Sequence, residues 1–89
     1  MTGRALPRLV KKTHLRNQKN IVGPRVRLAR RKAGIAQDAL SGRLAALGVL
    51  ITQTGISKIE SQDRYVMDYE AAALAKALRV TVAWLYGAE

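Results

Sequence analysis

The sequence predicts an all-α fold: a bundle of five short helices over residues 21–89, preceded by a basic N-terminal arm, residues 1–20. Three observations carry that expectation. From Ile21 onward the apolar residues recur at helical spacing, and no segment alternates as a half-buried strand would. Glycines and capping residues interrupt the pattern at short intervals, which marks tight turns between short helices. Finally, a chain of 89 residues has room for one small core and little else.

The first helix is expected from about Pro24, a residue suited to a first turn, to Ala33, with Gly34 as its stop. Val22, Val26 and Ala29 share its inner face, and Arg25, Arg27, Arg31 and Lys32 point outward. A second helix is read over about Gln37–Leu47, with Leu40, Leu44 and Leu47 on one stripe and Gly48 behind it. Val49-Leu50-Ile51 then form an apolar connector. Thr52 is a good N-cap for a third helix, about Gln53–Ser61, which turns Ile56 and Ile59 inward. After a polar loop, Asp68 is expected to cap a fourth helix ending at Leu78 that buries Ala71, Leu74, Ala75 and Leu78. Thr81 caps a last short helix through Tyr86, closed by Gly87.

Charge narrows the function. Sixteen Lys+Arg against six Asp+Glu give a net +10. The excess is concentrated: Arg4, Arg8, Lys11, Lys12, Arg16, Lys19, Arg25, Arg27, Arg30, Arg31 and Lys32 all precede the first acidic residue, Asp38. Such an imbalance on a small body implies a polyanionic partner, because neutralising phosphates releases their counterions. The arm, Met1 to Asn20, carries too little apolar surface to offset its own ordering, so it is expected to be mobile without a partner. Residues 8–19 could become helical on a surface.

Other classes are excluded or disfavoured. There is no cysteine and one histidine, His14, so thiolate chemistry and a histidine metal cluster are out. No glycine-rich phosphate loop and no nucleophile with a histidine base is present, so the chain is not read as an enzyme and no cofactor is implied. No apolar run is long enough to span a bilayer, and the N-terminus lacks a signal-type apolar stretch. A soluble, cytoplasmic protein is therefore expected.

Helices two and three carry the function. A helix, a short turn and a second helix with Gln53, Thr54, Ser57 and Lys58 on its outer face suit the reading of a major groove. Glutamine can pair with adenine through two bonds, lysine can donate to guanine, and threonine can meet a thymine methyl or a phosphate.

In order along the chain stand Val22-Gly23-x-x-Val26-x-x-Ala29-Arg30, Ala33-Gly34-Ile35-Ala36-Gln37, and Gly55-Ile56-Ser57-Lys58-Ile59-Glu60. Leu74-Ala75-Lys76-Ala77-Leu78-Arg79-Val80-Thr81-Val82-Ala83-Trp84-Leu85 follows. Over residues 21–87 this resembles the phage repressor and Cro-type (Xre-type) helix-turn-helix proteins. The resemblance implies a lambda-repressor-like bundle that binds double-stranded DNA as a transcriptional regulator, a repressor by analogy, and dimerises on it. Base reading falls to Gln53, Thr54, Ser57 and Lys58. Gln37 would contact a phosphate and brace the reading helix, Arg64 would contact a phosphate from the following loop, and Arg25 and Arg27 join them. Arg30 and Glu60 match a partly buried salt bridge, and Trp84 and Leu85 match a dimer contact.

The chain departs from the family pattern in three places. Gln37 and Glu60 stand 23 residues apart, a longer separation than usual. Ala36 replaces the usual Ser or Asn, which weakens the cap of the second helix, and Gly55 replaces the usual Ser or Thr. Two rival readings have their own signatures. An RNA-binding module would depend on the 1–20 arm and ignore Gln53, whereas a module that docks another protein would bind nucleic acid weakly.

Overall fold

A computed structural model of the chain describes residues 18–89. The elements are α1 (Gly23–Ala33), α2 (Gln37–Ala46), α3 (Gln53–Glu60), α4 (Asp68–Leu78) and α5 (Val82–Leu85), an all-α bundle as expected. The expectations placed on residues 1–17 lie outside the described residues. Among the described residues no helix is long and apolar enough to cross a membrane.

Val22 and Val26 from the first helix, Leu40 and Leu44 from α2, Ile51, Ile56 and Ile59 around α3, and Leu74 and Leu85 from α4 and α5 form one core. Each of these side chains is at most 3% exposed. Burying a chain of this kind stabilises by about 1.5–3 kcal/mol apiece, which offsets the ordering of such short helices. α3 packs on both α1 and α2, and α4 backs the pair.

All five helices end on one device. The N–H two or three residues past the last helical residue reaches a carbonyl five residues back: Ile35 to Arg30, Val49 to Leu44, Asp63 to Lys58, Val80 to Ala75 and Ala88 to Ala83. The turn needs a left-handed residue, supplied by glycine at 34, 48 and 87 but by Gln62 (φ 64°) and Arg79 (φ 58°) at the other two.

Three expectations are corrected here. Leu47 does not continue the buried stripe of α2 and is 39% exposed. The helix stops at Ala46, and the left-handed turn at Gly48 brings Val49 onto the core instead. Asp68 lies inside α4 and is exposed; the cap position is Met67, whose N–H donates to Glu70 Oε1 at 2.9 Å. Asn20, counted with the arm, is 8% exposed and stitches the chain to the bundle. Its Oδ1 accepts from Gly23 N (2.9 Å) and its Nδ2 donates to the carbonyls of Ile59 (3.1 Å) and Arg64 (2.8 Å).

That stitch seats the start of α1 directly on the carboxyl end of α3. A Cβ at Gly23 would run into the Ile59 carbonyl oxygen, so only glycine allows this approach. The first turn of α1 thus faces the partial negative end of α3, a favourable dipole arrangement.

Candidate nucleic-acid interface

Thr52 opens α3 as expected: its Oγ1 accepts from Gly55 N at 3.1 Å. Ile56, Ile59 and Glu60 face inward, while Gln53, Thr54, Ser57 and Lys58 are all exposed on the opposite side. The structure thus brings the four expected reading residues together on one polar face. Gly55 has a local cause, because a Cβ there would stand 2.9 Å from Ile51 Cγ2. A side chain at this position would require the Ile51 side chain to shift.

The expected Arg30–Glu60 pair is present and bidentate. Arg30 Nε donates to Glu60 Oε2 at 2.6 Å and Nη2 to Oε1 at 3.0 Å. The Glu60 side chain has no solvent exposure and that of Arg30 has 12%. Burial alone would push the Glu60 carboxyl up; hydrogen bonds from Arg30 and then Gln37 outweigh it and hold the carboxyl below its ordinary range. Arg30 also donates through Nη1 to the Ile35 carbonyl at 2.9 Å, tying the turn before α2 to the same centre.

From that buried carboxylate a chain of contacts runs to the surface. Gln37 Nε2 donates to Glu60 Oε1 at 3.1 Å. Gln53 Nε2 donates in turn to Gln37 Oε1 at 2.6 Å. The first residues of α2 and α3 are therefore joined through their side chains, above a shallow depression lined by Ala36, Gln37, Asp38 and Gln53. Ala36 provides no side-chain cap, as expected, so no side chain at that position satisfies the leading N–H groups of α2.

The arginines divide differently from their outward reading. Arg27 keeps 47% of its side chain exposed and reaches Glu60 Oε1 at 3.4 Å. Arg64 forms a two-pronged pair with Glu70, 3.0 Å on each arm. The Arg64 hydrogen bond, working against burial, holds the Glu70 carboxyl below its ordinary range. Arg25, expected to point outward, is half-buried against α5. Its guanidinium lies 4.6 Å from the Trp84 ring centroid and donates to the Trp84 carbonyl at 2.9 Å.

No family model matches this chain, and no curated protein does. Among solved structures, the P22 c2 repressor in complex with synthetic operator 9T matches with a TM-score of 0.65 at 29% identity. The match covers 76% of this chain and 96% of the repressor chain. The bundle is thus similar to a phage helix-turn-helix repressor and has the lambda-repressor-like fold.

Within this repressor-type unit α2 and α3 are the two helices of the motif, and the connector between them is held firmly. Ser41 Oγ donates to the Ile51 carbonyl at 2.6 Å, and Val49 N donates to the Leu44 carbonyl at 3.0 Å. One expected contact fails on packing grounds: Leu85, paired with Trp84 as a dimer contact, is fully buried in its own bundle and has no surface to offer. Trp84 is half-buried. Two connections escaped the sequence reading. Asn20 bears an ordinary signal, an asparagine just ahead of a helical run. Glu70 bears another, an acid at the third position of its helix, where it can reach back to the cap N–H.

Proposed function

We propose that this protein is a sequence-specific double-stranded DNA-binding transcriptional regulator, a repressor, that reads the major groove with α3. One observation carries the reading: Gln53, at the leading end of an exposed polar row, is held by Gln37, which is held by the buried Glu60. A base-reading side chain gains discrimination when its geometry is set before the DNA arrives. The net charge of +10 supports a phosphate partner, and the similar P22 c2 repressor is itself in complex with an operator.

Gln53, Thr54, Ser57 and Lys58 are the base-reading set. Gln37 meets a phosphate with the uncapped start of α2, where the helix dipole favours an anion. Arg27 and Arg64 retain exposed surface for backbone contacts while holding their carboxylates. Arg25 is left out of this set by its engagement with Trp84. Two copies would place their α3 helices in successive major grooves about 34 Å apart, with the exposed side of Trp84 near the contact.

Selection from a randomised duplex pool at physiological salt tests this, with the Gln53→Ala/Lys58→Ala variant in parallel. A motif recovered by the natural protein and lost by the variant is expected. Binding without any motif that survives the double change but needs residues 1–17 would overturn base reading in favour of charge alone, as an RNA-binding module would also show.

A further inference from the structure

Leu50 is the most exposed large apolar side chain among the described residues, at 84%. Its two neighbours point the other way: Val49 packs against the core and Ile51 is 3% exposed. The backbone on both sides is pinned, by Val49 N to the Leu44 carbonyl at 3.0 Å and by the Ile51 carbonyl to Ser41 Oγ at 2.6 Å. Thr52, which caps α3, follows two residues later. Leu50 is thus a leucine on a pinned backbone and turned into solvent, within about 10 Å of chain from the first residue of α3.

That position matters because the leading end of a reading helix is the part that approaches base edges. The residues that follow it at the start of α3, Thr52, Gln53 and Thr54, are polar and exposed. Leu47, three residues earlier, is exposed to a lesser extent (39%), so Leu50 presents a narrow apolar spot beside donors and acceptors, which matches a groove edge where the thymine 5-methyl is the isolated apolar spot. It matches a protein interface less well, since the buried centre of such an interface needs a wider apolar patch. We propose that Leu50 is a specificity-determining residue that packs on the 5-methyl group of a thymine at the edge of the groove α3 enters. The proposal rests on the DNA reading above and extends it to a residue outside the polar row.

The test uses the full chain and the motif it selects. Each thymine of the site is replaced in turn by deoxyuridine, which removes only the 5-methyl, and affinities are measured for the natural protein and for Leu50→Ala. Because Leu50 supports no core contact, Leu50→Ala is expected to melt at the natural temperature. One thymine should stand out: its replacement weakens the natural protein by about three- to tenfold and leaves Leu50→Ala unaffected. A thymine profile identical in the two proteins overturns the assignment while leaving DNA reading intact. So does Leu50→Ala that changes the oligomeric state in sedimentation, which would give the leucine to a second copy. Failure of the natural protein to select any motif brings down the DNA reading and this proposal with it.

Discussion

Gln53 donates to Gln37 across the elbow between α2 and α3, at 2.6 Å, although the two residues are sixteen positions apart in the chain. The acceptor is not free to follow its partner, because its own amide nitrogen is held by Glu60. Orientation at the surface is therefore set from the buried side.

Gln37→Ala should accordingly damage recognition as well as stability. It leaves the Arg30–Glu60 pair in place and removes one hydrogen bond to a carboxylate, worth about 1.5–3 kcal/mol. On a selected site the variant should lose at least tenfold in affinity, and its preference at the base facing Gln53 should flatten. Competition between the selected site and single-base variants reads this directly. Full discrimination in Gln37→Ala would mean that Gln53 needs no brace.

Glu60 is the more severe case, a residue whose loss threatens the fold. Glu60→Ala strands Arg30, whose side chain is only 12% exposed, without its carboxylate. Removing one partner of a buried pair costs about 3–5 kcal/mol, a large fraction of what a domain this small can hold. Urea unfolding should show a midpoint far below that of the natural protein. An unchanged midpoint would show that the pair contributes orientation and little stability.

The same carboxylates give the protein a defined acid limit. Glu60 and Glu70 are both held below the ordinary range in the fold, so the unfolded chain takes up protons first as pH falls. Their contribution is complete above the unfolded carboxylate value, about 4.3, and drains away as pH drops through the lower folded values. The melting temperature should stay level from pH 7 to about 5 and then fall steeply. Glu70→Gln should show a shallower acid slope from a lower plateau.

Backbone strain offers a cleaner handle. Arg79 ends α4 in the left-handed region at φ 58°, a conformation that costs a residue with a Cβ about 1–2 kcal/mol. It is exposed, so Arg79→Gly gives up no buried contact. After the entropy that glycine adds to the unfolded chain, a net gain of about 0.5–1 kcal/mol is expected in thermal unfolding. Gln62 takes the same left-handed conformation after α3, yet its side chain donates to the Asn20 carbonyl at 3.0 Å. Gln62→Gly should therefore gain less.

The helix order, the inward residues of α1 and α3, and the Thr52 and Thr81 caps are all legible in the sequence, because spacing and local capping decide them. Leu47 is not, since periodicity alone carries no stop: the apolar stripe continues in sequence one residue past Ala46, where the helix ends just before Gly48 reverses the chain. The inward turn of Arg25 is hidden because its partner, Trp84, lies 59 positions away and only packing of α5 against the bundle reveals it. Gln53, Thr54, Ser57 and Lys58 are visible as a polar face. The bond that orients Gln53 is not, because an elbow angle is a tertiary quantity.

The proposed base-reading face and the arm's share of the positive charge lie in different parts of the chain, which allows them to be separated. Lys19, which follows Arg4, Arg8, Lys11, Lys12 and Arg16 in the chain, donates its N–H to the Gln62 carbonyl at 2.9 Å, beside the carboxyl end of α3. Residues 1–17 can be removed while Lys19 and Asn20, whose bonds belong to the fold, are kept. For every phosphate that the shortened chain no longer neutralises, the slope of log affinity against log salt should flatten by about 0.9. The truncated protein should bind every duplex more weakly by a common factor, with its ranking of sites preserved. Gln53→Ala should do the reverse, keeping the salt slope and losing the ranking. If truncation instead erased the ranking, sequence reading would reside in the arm, and α3 would be reduced to a docking element.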